Sequence, residues 1–366
     1  MADEVLAVVI DTGSYKVKAG FSGADTPQVG FRSLVAYGEG EELVVGNNAL
    51  KNLGNKSLMQ PIQHGIVRNW GLAEKIWEHL YEKELKVKPN DYPVLLAEPP
   101  LNPKIHREKC CQLFFEAFMV PGMYMAATSL LSLYGSAKTC GMVLDIGQGV
   151  AHAVPISDGT IVPHAVRRVD VGGYDVTSQV MASIRGLNSD DPMAREIANE
   201  IKETCCYVAL DYQETLQRAE KNPETCKKTF TLPDGFNLAL SKECFQCPEI
   251  IFSPEVGGRS APHLTDVMYH SIRNCEPELH RTMFSNILIS GGSSLFRGFP
   301  ERCEKELKGL INGNSPVKIV SNPKNRDTNV WLGGSIVASL SSFQQMWVTK
   351  ADYEESGPTV IHRKCF

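Results

Sequence analysis

The sequence contains no uninterrupted apolar run of the roughly 20 residues that a bilayer-crossing helix needs. Its first residues, Met1-Ala2-Asp3-Glu4, are acidic where a secretory leader requires positive charge. Both absences predict a chain that stays in the cytosol or nucleus and inserts in no membrane. A basic excess is also missing. Lys and Arg number 37 against 42 Asp and Glu, a formal charge of −5, so no broad positive field attracts a phosphate backbone and nucleic acid is not an expected partner. There is no Gly-x-Ser-x-Gly, no His-Glu-x-x-His and no Gly-x-x-x-x-Gly-Lys-Ser/Thr, which sets aside the common serine-hydrolase, zinc-protease and P-loop readings. The eleven cysteines are odd in number, and Cys244-x-x-Cys247 has no second pair at ligand spacing. They read as apolar fillers and free thiols, not as a disulfide frame or a zinc site.

What is present is ordinary globular material, 43% hydrophobic and 22% charged over 366 residues. That length favours two domains, because single cores rarely grow beyond about 250–300 residues. Apolar runs alternate with amphipathic stretches throughout, the pattern of an α/β protein. Strands are predicted at Val5–Ile10, Val17–Phe21, Val94–Ala97, Gly141–Leu144, Ala151–Ile156, Ile287–Ile289 and Val317–Val320. Helices are predicted at Glu74–Leu85, His106–Phe118 (launched by an Asn102-Pro103 cap), Ala194–Ala209, Leu264–Asn274 and Pro300–Ile311, the last stopped by Asn312-Gly313.

An imperfect duplication carries the chemistry. Leu6–Ile10 runs into Asp11-Thr12-Gly13-Ser14 and then a second strand; Gly141–Leu144 runs into Asp145-Ile146-Gly147-Gln148-Gly149 and then another. Glycine permits the tight turns in which successive amides converge on an anion, and an aspartate at each strand end can hold a divalent cation through its water. Two such hairpins face to face would clamp a polyphosphate with its magnesium. Two Gly-Gly turns, Gly172-Gly173 and Gly291-Gly292, could let a ring or ribose approach the backbone. One Gly turn alone is most simply a turn; several in this order, each after a strand, carry more weight. Asp-Thr-Gly-Ser also opens the active-site loop of aspartic proteases. That reading requires Thr or Ser after the second aspartate, where Ile146 stands, and a β-rich chain.

Longer motifs name a family. Lys18-Ala-Gly-Phe21, Ile62-Gln-His64-Gly-Ile-Val67, Leu101-Asn-Pro-Lys104, Ile201-Lys-Glu203 with Cys206–Asp211, Ser290-Gly-Gly292, Phe343–Trp347, Glu355–Pro358 and Ile361–Phe366 all resemble actin, in unbroken order from about Val5 to Phe366. The resemblance implies a two-lobed α/β fold shared with heat-shock ATPases and sugar kinases, built on duplicated ribonuclease-H-like cores with a nucleotide cleft between. Residues 1–135 with 329–366 would form the outer lobe, including a small insert at 33–60, and residues 136–328 the inner lobe. It implies ATP or ADP and Mg²⁺ as ligands. Asp11 and Asp145 match the aspartates that hold the cation through water. Gly13, Ser14, Tyr15, Lys18, Gly147, Gln148, Gly149 and Val150 fall at phosphate-contacting positions, and Gly173, Lys202, Glu203, Gly292, Leu295 and Phe296 at the nucleoside pocket. His152 matches the histidine beside the attacking water. A partner groove maps to Tyr134, Gly135, Val337, Leu340, Phe343 and Met346, where a profilin-like or helix-in-groove ligand, or an actin-related protein, would dock.

The departures from the family pattern set the functional expectation. Thr128 replaces the glutamine that orients the attacking water, Gln148 an aspartate near the ribose, Ile146 a serine, Tyr15 a glycine, and Asp327 a lysine beside the adenine. The stretch Tyr37–Glu42 is a short acidic version of the DNase-binding loop; Ser157 and Thr160 stand where the receiving loop carries tyrosines; Glu255–Arg259 replaces the apolar plug. The expectation is a divergent actin-like protein of cytoplasm and cytoskeleton, with access to the nucleus, that binds nucleotide, hydrolyses it slowly or not at all, and joins or caps an actin-related assembly without forming a homopolymer. The alternatives are a conventional polymerising actin ATPase and a small-molecule kinase; the kinase lacks an evident sugar-binding insert.

Overall fold

The computed structural model describes residues 6–38, 42–51, 56–184, 187, 191–311, 316–320 and 325–365. Its strands form two principal sheets. The six-stranded sheet runs Val348–Thr349, Gly122–Ala127, Val94–Glu98, Val8–Thr12, Lys16–Phe21, Val29–Arg32. The five-stranded sheet runs Thr160–Ile161, Ala151–Ser157, Gly141–Ile146, Ile287–Ser290, with Arg167–Val169 also paired to Ala151–Ser157.

The duplication read from sequence is a duplication of register. Val8–Thr12 lies antiparallel to Lys16–Phe21, setting Asp11 opposite Lys18, and parallel to Val94–Glu98. Gly141–Ile146 lies antiparallel to Ala151–Ser157, setting Asp145 opposite His152, and parallel to Ile287–Ser290. In each hairpin the Gly of Asp-x-Gly donates across the turn, Gly13 N–H to Lys16 O at 3.1 Å and Gly147 N–H to Val150 O at 2.9 Å. The strands Val8–Thr12, Val94–Glu98 and Gly141–Ile146 are buried along most of their length, so their continuous Val/Ile/Leu runs suit sheets covered on both faces.

Each sheet has its own core. One gathers Trp77, Tyr81, Phe114 and Trp331 over the six-stranded sheet; the other gathers Phe252, Phe299 and Met268 over the five-stranded one. The helices Thr128–Gly135 and Asn329–Ser339 cross at near-backbone contact. A Cβ on Gly333 would fall 1.8 Å from Leu131 O, and Asn329 Nδ2 donates to Ser132 O at 2.6 Å. All eleven cysteines are free thiols, ten of them buried and Cys140 half-buried.

Several sequence boundaries shift. The helix expected from Glu74 begins at Trp70, capped by Asn69 Oδ1 accepting from Leu72 N–H at 3.1 Å, and its last turn, Leu80–Leu85, opens to a π-helix. Asn102 is not a cap. Lys104–Glu116 starts after Pro103 without a side-chain cap, and Asn102 Nδ2 instead donates to Glu98 Oε2 at 2.9 Å, beside the Arg107–Glu98 ion pair. A buried carboxylate needing donors outcompetes the local cap. The third helix spans Pro192–Cys205, started by Asp191 and Pro192, and stops before Ala209. Leu264–Arg273 and Phe299–Leu310 are close to expectation. Among the described residues, 317–320 contribute a single bridge, Ile319 to Ile287, in place of a strand. Val5, Glu39–Glu41, Asn312-Gly313 and Phe366 lie outside the described residues.

Candidate functional site

Between the two Asp hairpins lies a cavity of about 740 Å³, within the range of small-molecule sites. Its wall contains all sixteen positions assigned to nucleotide, from Asp11, Gly13, Ser14, Tyr15 and Lys18, through Asp145, Gly147, Gln148, Gly149 and Val150, to Gly173, Lys202, Glu203, Gly292, Leu295 and Phe296. Thr128 and His152 line it as well.

The hairpins bring two carboxylates to one space, Asp11 buried and Asp145 half-buried. Lys18 Nζ donates to Asp11 Oδ2 at 2.9 Å. Burial alone would lower the Lys18 pKa, but the attraction of Asp11, Asp327 and Asp145 leaves it above the ordinary lysine value. Asp145 accepts from Thr128 Oγ1 at 3.0 Å. Burial is the main reason its pKa rises to about 6, with the Asp11 charge adding to it and Thr128 and Lys18 opposing. A buried carboxylate short of cationic partners is the donor chemistry a hydrated divalent cation fits, since the cation supplies the missing positive charge. His152, opposite Asp145, is held down to about 4 by burial and then by Arg168, so its imidazole is neutral at physiological pH.

The turns are fixed by hydrogen bonds that reach between them. Gly65 N–H donates to Ser14 Oγ at 3.0 Å, Ser293 Oγ to Gly147 O at 2.7 Å, and Gly173 N–H to Gly147 O at 3.1 Å. Gly291 has φ +93°, and a Cβ there would sit 2.2 Å from Ile146 O. This close approach is why the second Gly-Gly turn abuts the Asp145 strand. A Cβ on Gly292, by contrast, would meet nothing within 4 Å, which leaves room beside the backbone for a flat group. At the far wall Lys202 is lowered to about 8, chiefly by burial, with Glu203 the largest opposing influence.

Tyr15 lines the cavity, and its ring and hydroxyl have partners of their own. Arg32's guanidinium carbon lies 3.9 Å from the centre of its ring, and its hydroxyl meets Asn199 Nδ2 on the Pro192–Cys205 helix. Asp327 lines the same cavity. Sequence reasoning missed Lys16, Gly65, Ser293, Tyr207, Lys228 and Arg297 as lining residues. Gly65 and Tyr207 lie inside the Ile62–Val67 and Cys206–Asp211 motifs and Ser293 directly follows Ser290-Gly-Gly292; nothing local marks Lys228 or Arg297.

The expected partner groove is uneven. Leu340 is 48% exposed with Ile336 beside it, and Tyr134, Gly135, Val337 and Met346 are half-buried. Phe343 is core, packed edge-on to Tyr124 and Trp347 at 4.8 and 5.3 Å, and offers little surface. Of the positions expected at assembly contacts, Ser157 and Thr160 face each other across a hairpin. In the plug segment Arg259 is tied to Asp175 at 2.7 Å and Glu255 to His263 at 3.2 Å.

The family model for actin matches residues 2–366. With the mixed sheets and paired Asp hairpins, that match covers the whole chain, and the protein belongs to the actin family.

Proposed function

We propose that the cavity binds ATP or ADP with Mg²⁺, and that the protein is an actin-like component or cap of a larger assembly, with slow turnover and little self-polymerisation. The observation that carries the nucleotide reading is the facing pair of Asp-x-Gly hairpins, with Asp11 and Asp145 on one cavity and Lys18 beside them. Asp11 and Asp145 would hold the cation through its water, and Lys18 with the turn amides around Gly13 and Gly147 would hold phosphate oxygens. Bound magnesium would draw charge from those oxygens. On this reading the two cores act as lobes, 1–135 with 329–366 and 136–328.

Slow turnover follows from the groups around the reacting end. Thr128 commits its hydroxyl to Asp145 and has no amide with which to orient a water. Neutral His152 can still accept a proton, but a general base without a positioned nucleophile gains little. Weak self-assembly follows from the surface. A filament repeats one heterologous contact, so each subunit must present both halves. Ser157 and Thr160 offer no aromatic anchor, and Arg259 is engaged internally with Asp175. The exposed Leu340–Ile336 region is where a partner of the actin-binding or actin-related kind would dock, in the cytoplasm or its cytoskeleton.

Thermal denaturation with millimolar Mg-ATP tests the nucleotide half. A ligand at a thousand times its Kd stabilises by about 4 kcal/mol, so wild type should melt several degrees higher, and Asp11→Ala or Asp145→Ala should lose the shift. No shift in wild type would refute the reading. Pelleting in Mg²⁺ and KCl tests the other half: the protein should stay in the supernatant, and long helical filaments would return it to the conventional actins.

A further inference from the structure

A chain of polar contacts crosses one side of the cavity, from the six-stranded sheet to the Pro192–Cys205 helix. Arg32 ends the edge strand Val29–Arg32, next to Phe31 of the first core. Its guanidinium forks onto Glu196, with Nη2 donating to Oε1 at 2.7 Å and Nη1 to Oε2. The same guanidinium lies 3.9 Å from the centre of the Tyr15 ring, and the Tyr15 hydroxyl accepts from Asn199 Nδ2. Asn199 is itself held from the far side, its Oδ1 accepting from Thr177 Oγ1 at 3.1 Å and from Lys202 Nζ at 2.5 Å. Glu196, Asn199 and Glu203 recur at helical spacing and so share one face of the helix, while Ala198 and Ile201 of that helix sit in the second core.

Two features separate this network from ligand binding. Neither Arg32 nor Glu196 lines the cavity, whereas Tyr15 does. The pair is also well covered, its side chains 12% and 24% exposed, so it is more than a solvated surface ion pair. An arginine suits the position because its planar fork matches a carboxylate while its face stacks on an aromatic ring; a lysine could not do both.

We propose that Arg32, Tyr15, Glu196 and Asn199 form a latch that holds the two walls of the cavity together and sets how fast nucleotide enters and leaves. The proposal rests on the nucleotide reading above for its ligand, and not for its geometry. A latch closes the cavity whether or not ligand is inside. Releasing it therefore raises the association and dissociation rates together and leaves the Kd little changed, unlike loss of a ligand contact, which acts mainly on dissociation.

Stopped-flow measurements with a fluorescent ATP analogue and Mg²⁺ test this on wild type, Arg32→Ala and Glu196→Gln, neither of which alters a cavity-lining residue. Charge-assisted hydrogen bonds of this kind change an equilibrium about tenfold. Both rates should rise by about that factor in Arg32→Ala and Glu196→Gln. A rise in dissociation alone, or no change in either rate, overturns the latch. Amide hydrogen exchange of residues 13–17 in nucleotide-free protein supplies an arm independent of ligand. It should quicken in Arg32→Ala, and unchanged exchange overturns the proposal. Absence of analogue binding by wild type would instead refute the nucleotide reading, with the exchange arm still deciding the latch.

Discussion

Replacing Gly291 by alanine should damage the fold, while the same change one residue later should damage only the site. Gly291 has φ +93° and ψ 150°, a region that side chains other than hydrogen occupy at a cost of about 1–3 kcal/mol. The new Cβ would lie 2.2 Å from Ile146 O and 2.9 Å from Asp145 Oδ1. Those atoms belong to the buried central strand Gly141–Ile146, so the loop must move instead. Moving it sacrifices the Gly291 N–H to Arg326 O bond at 2.8 Å and the Ser293 Oγ to Gly147 O bond at 2.7 Å, each worth about 1 kcal/mol. The expected loss is about 3–5 kcal/mol, or roughly 6–10 °C in Tm at about 2 °C per kcal/mol for a chain of this size. Gly292→Ala meets no atom within 4 Å. It should melt with wild type in the absence of nucleotide but respond less to Mg-ATP, because Gly292 lines the cavity. Differential scanning fluorimetry of the three proteins, with and without Mg-ATP, decides. Equal melting of the two alanine variants without nucleotide would refute the steric reasoning.

Thr128→Gln should raise phosphate release at least tenfold, since a positioned acid–base or water-orienting group contributes about 10²–10⁴; fast release by the unmodified protein would count against it. Asp352 accepts from Lys364 Nζ at 2.6 Å and from Thr349 N–H at 2.8 Å. Its pKa is pulled down to about 2, first by the Lys364 hydrogen bond and then by Thr349, from an ordinary 3.8. The stabilisation is therefore present above pH 3.8 and is lost as pH falls toward 2. Discounted for exposure it amounts to about 1 kcal/mol. Asp352→Ala should lower Tm at pH 7 by a few degrees and flatten the acid limb of the stability curve, read by tryptophan emission.

What was legible in the sequence is local or repeated. The Asp-x-Gly hairpins announced themselves because a strand, an Asp-x-Gly turn and a second strand occur in that order twice, whereas the far wall, with Lys202, Glu203, Leu295 and Phe296, was legible only through the resemblance to actin. The Arg32–Glu196 contact spans 164 residues and carries no local signal. Tyr15, which replaces a glycine of the family pattern, meets Asn199 because Arg32 and the helix give its ring and hydroxyl partners there. Asn102 reads as a cap until Glu98, buried beside it, is known to need a donor. Val317–Val320 has strand composition, yet among the described residues it makes one bridge, Ile319 to Ile287. At Tyr15 a long-range partner outweighed the local pattern, and at Asn102 a buried neighbour did.

The distribution of thiols makes the chain a recorder of its own opening. Burial pushes Cys111, Cys244 and Cys365 up to about 12, so at neutral pH these sulfurs carry almost no thiolate and the closed protein shields them from alkylating or oxidising reagents. Only Cys140 is not buried. A folded molecule should thus react at one sulfur, and a molecule that has opened fully at eleven. Because such chemistry is not reversed by refolding, modification accumulates with each excursion. The number of labelled thiols per chain, read by intact mass, then measures how often a population has come apart over time, which no equilibrium melting curve reports.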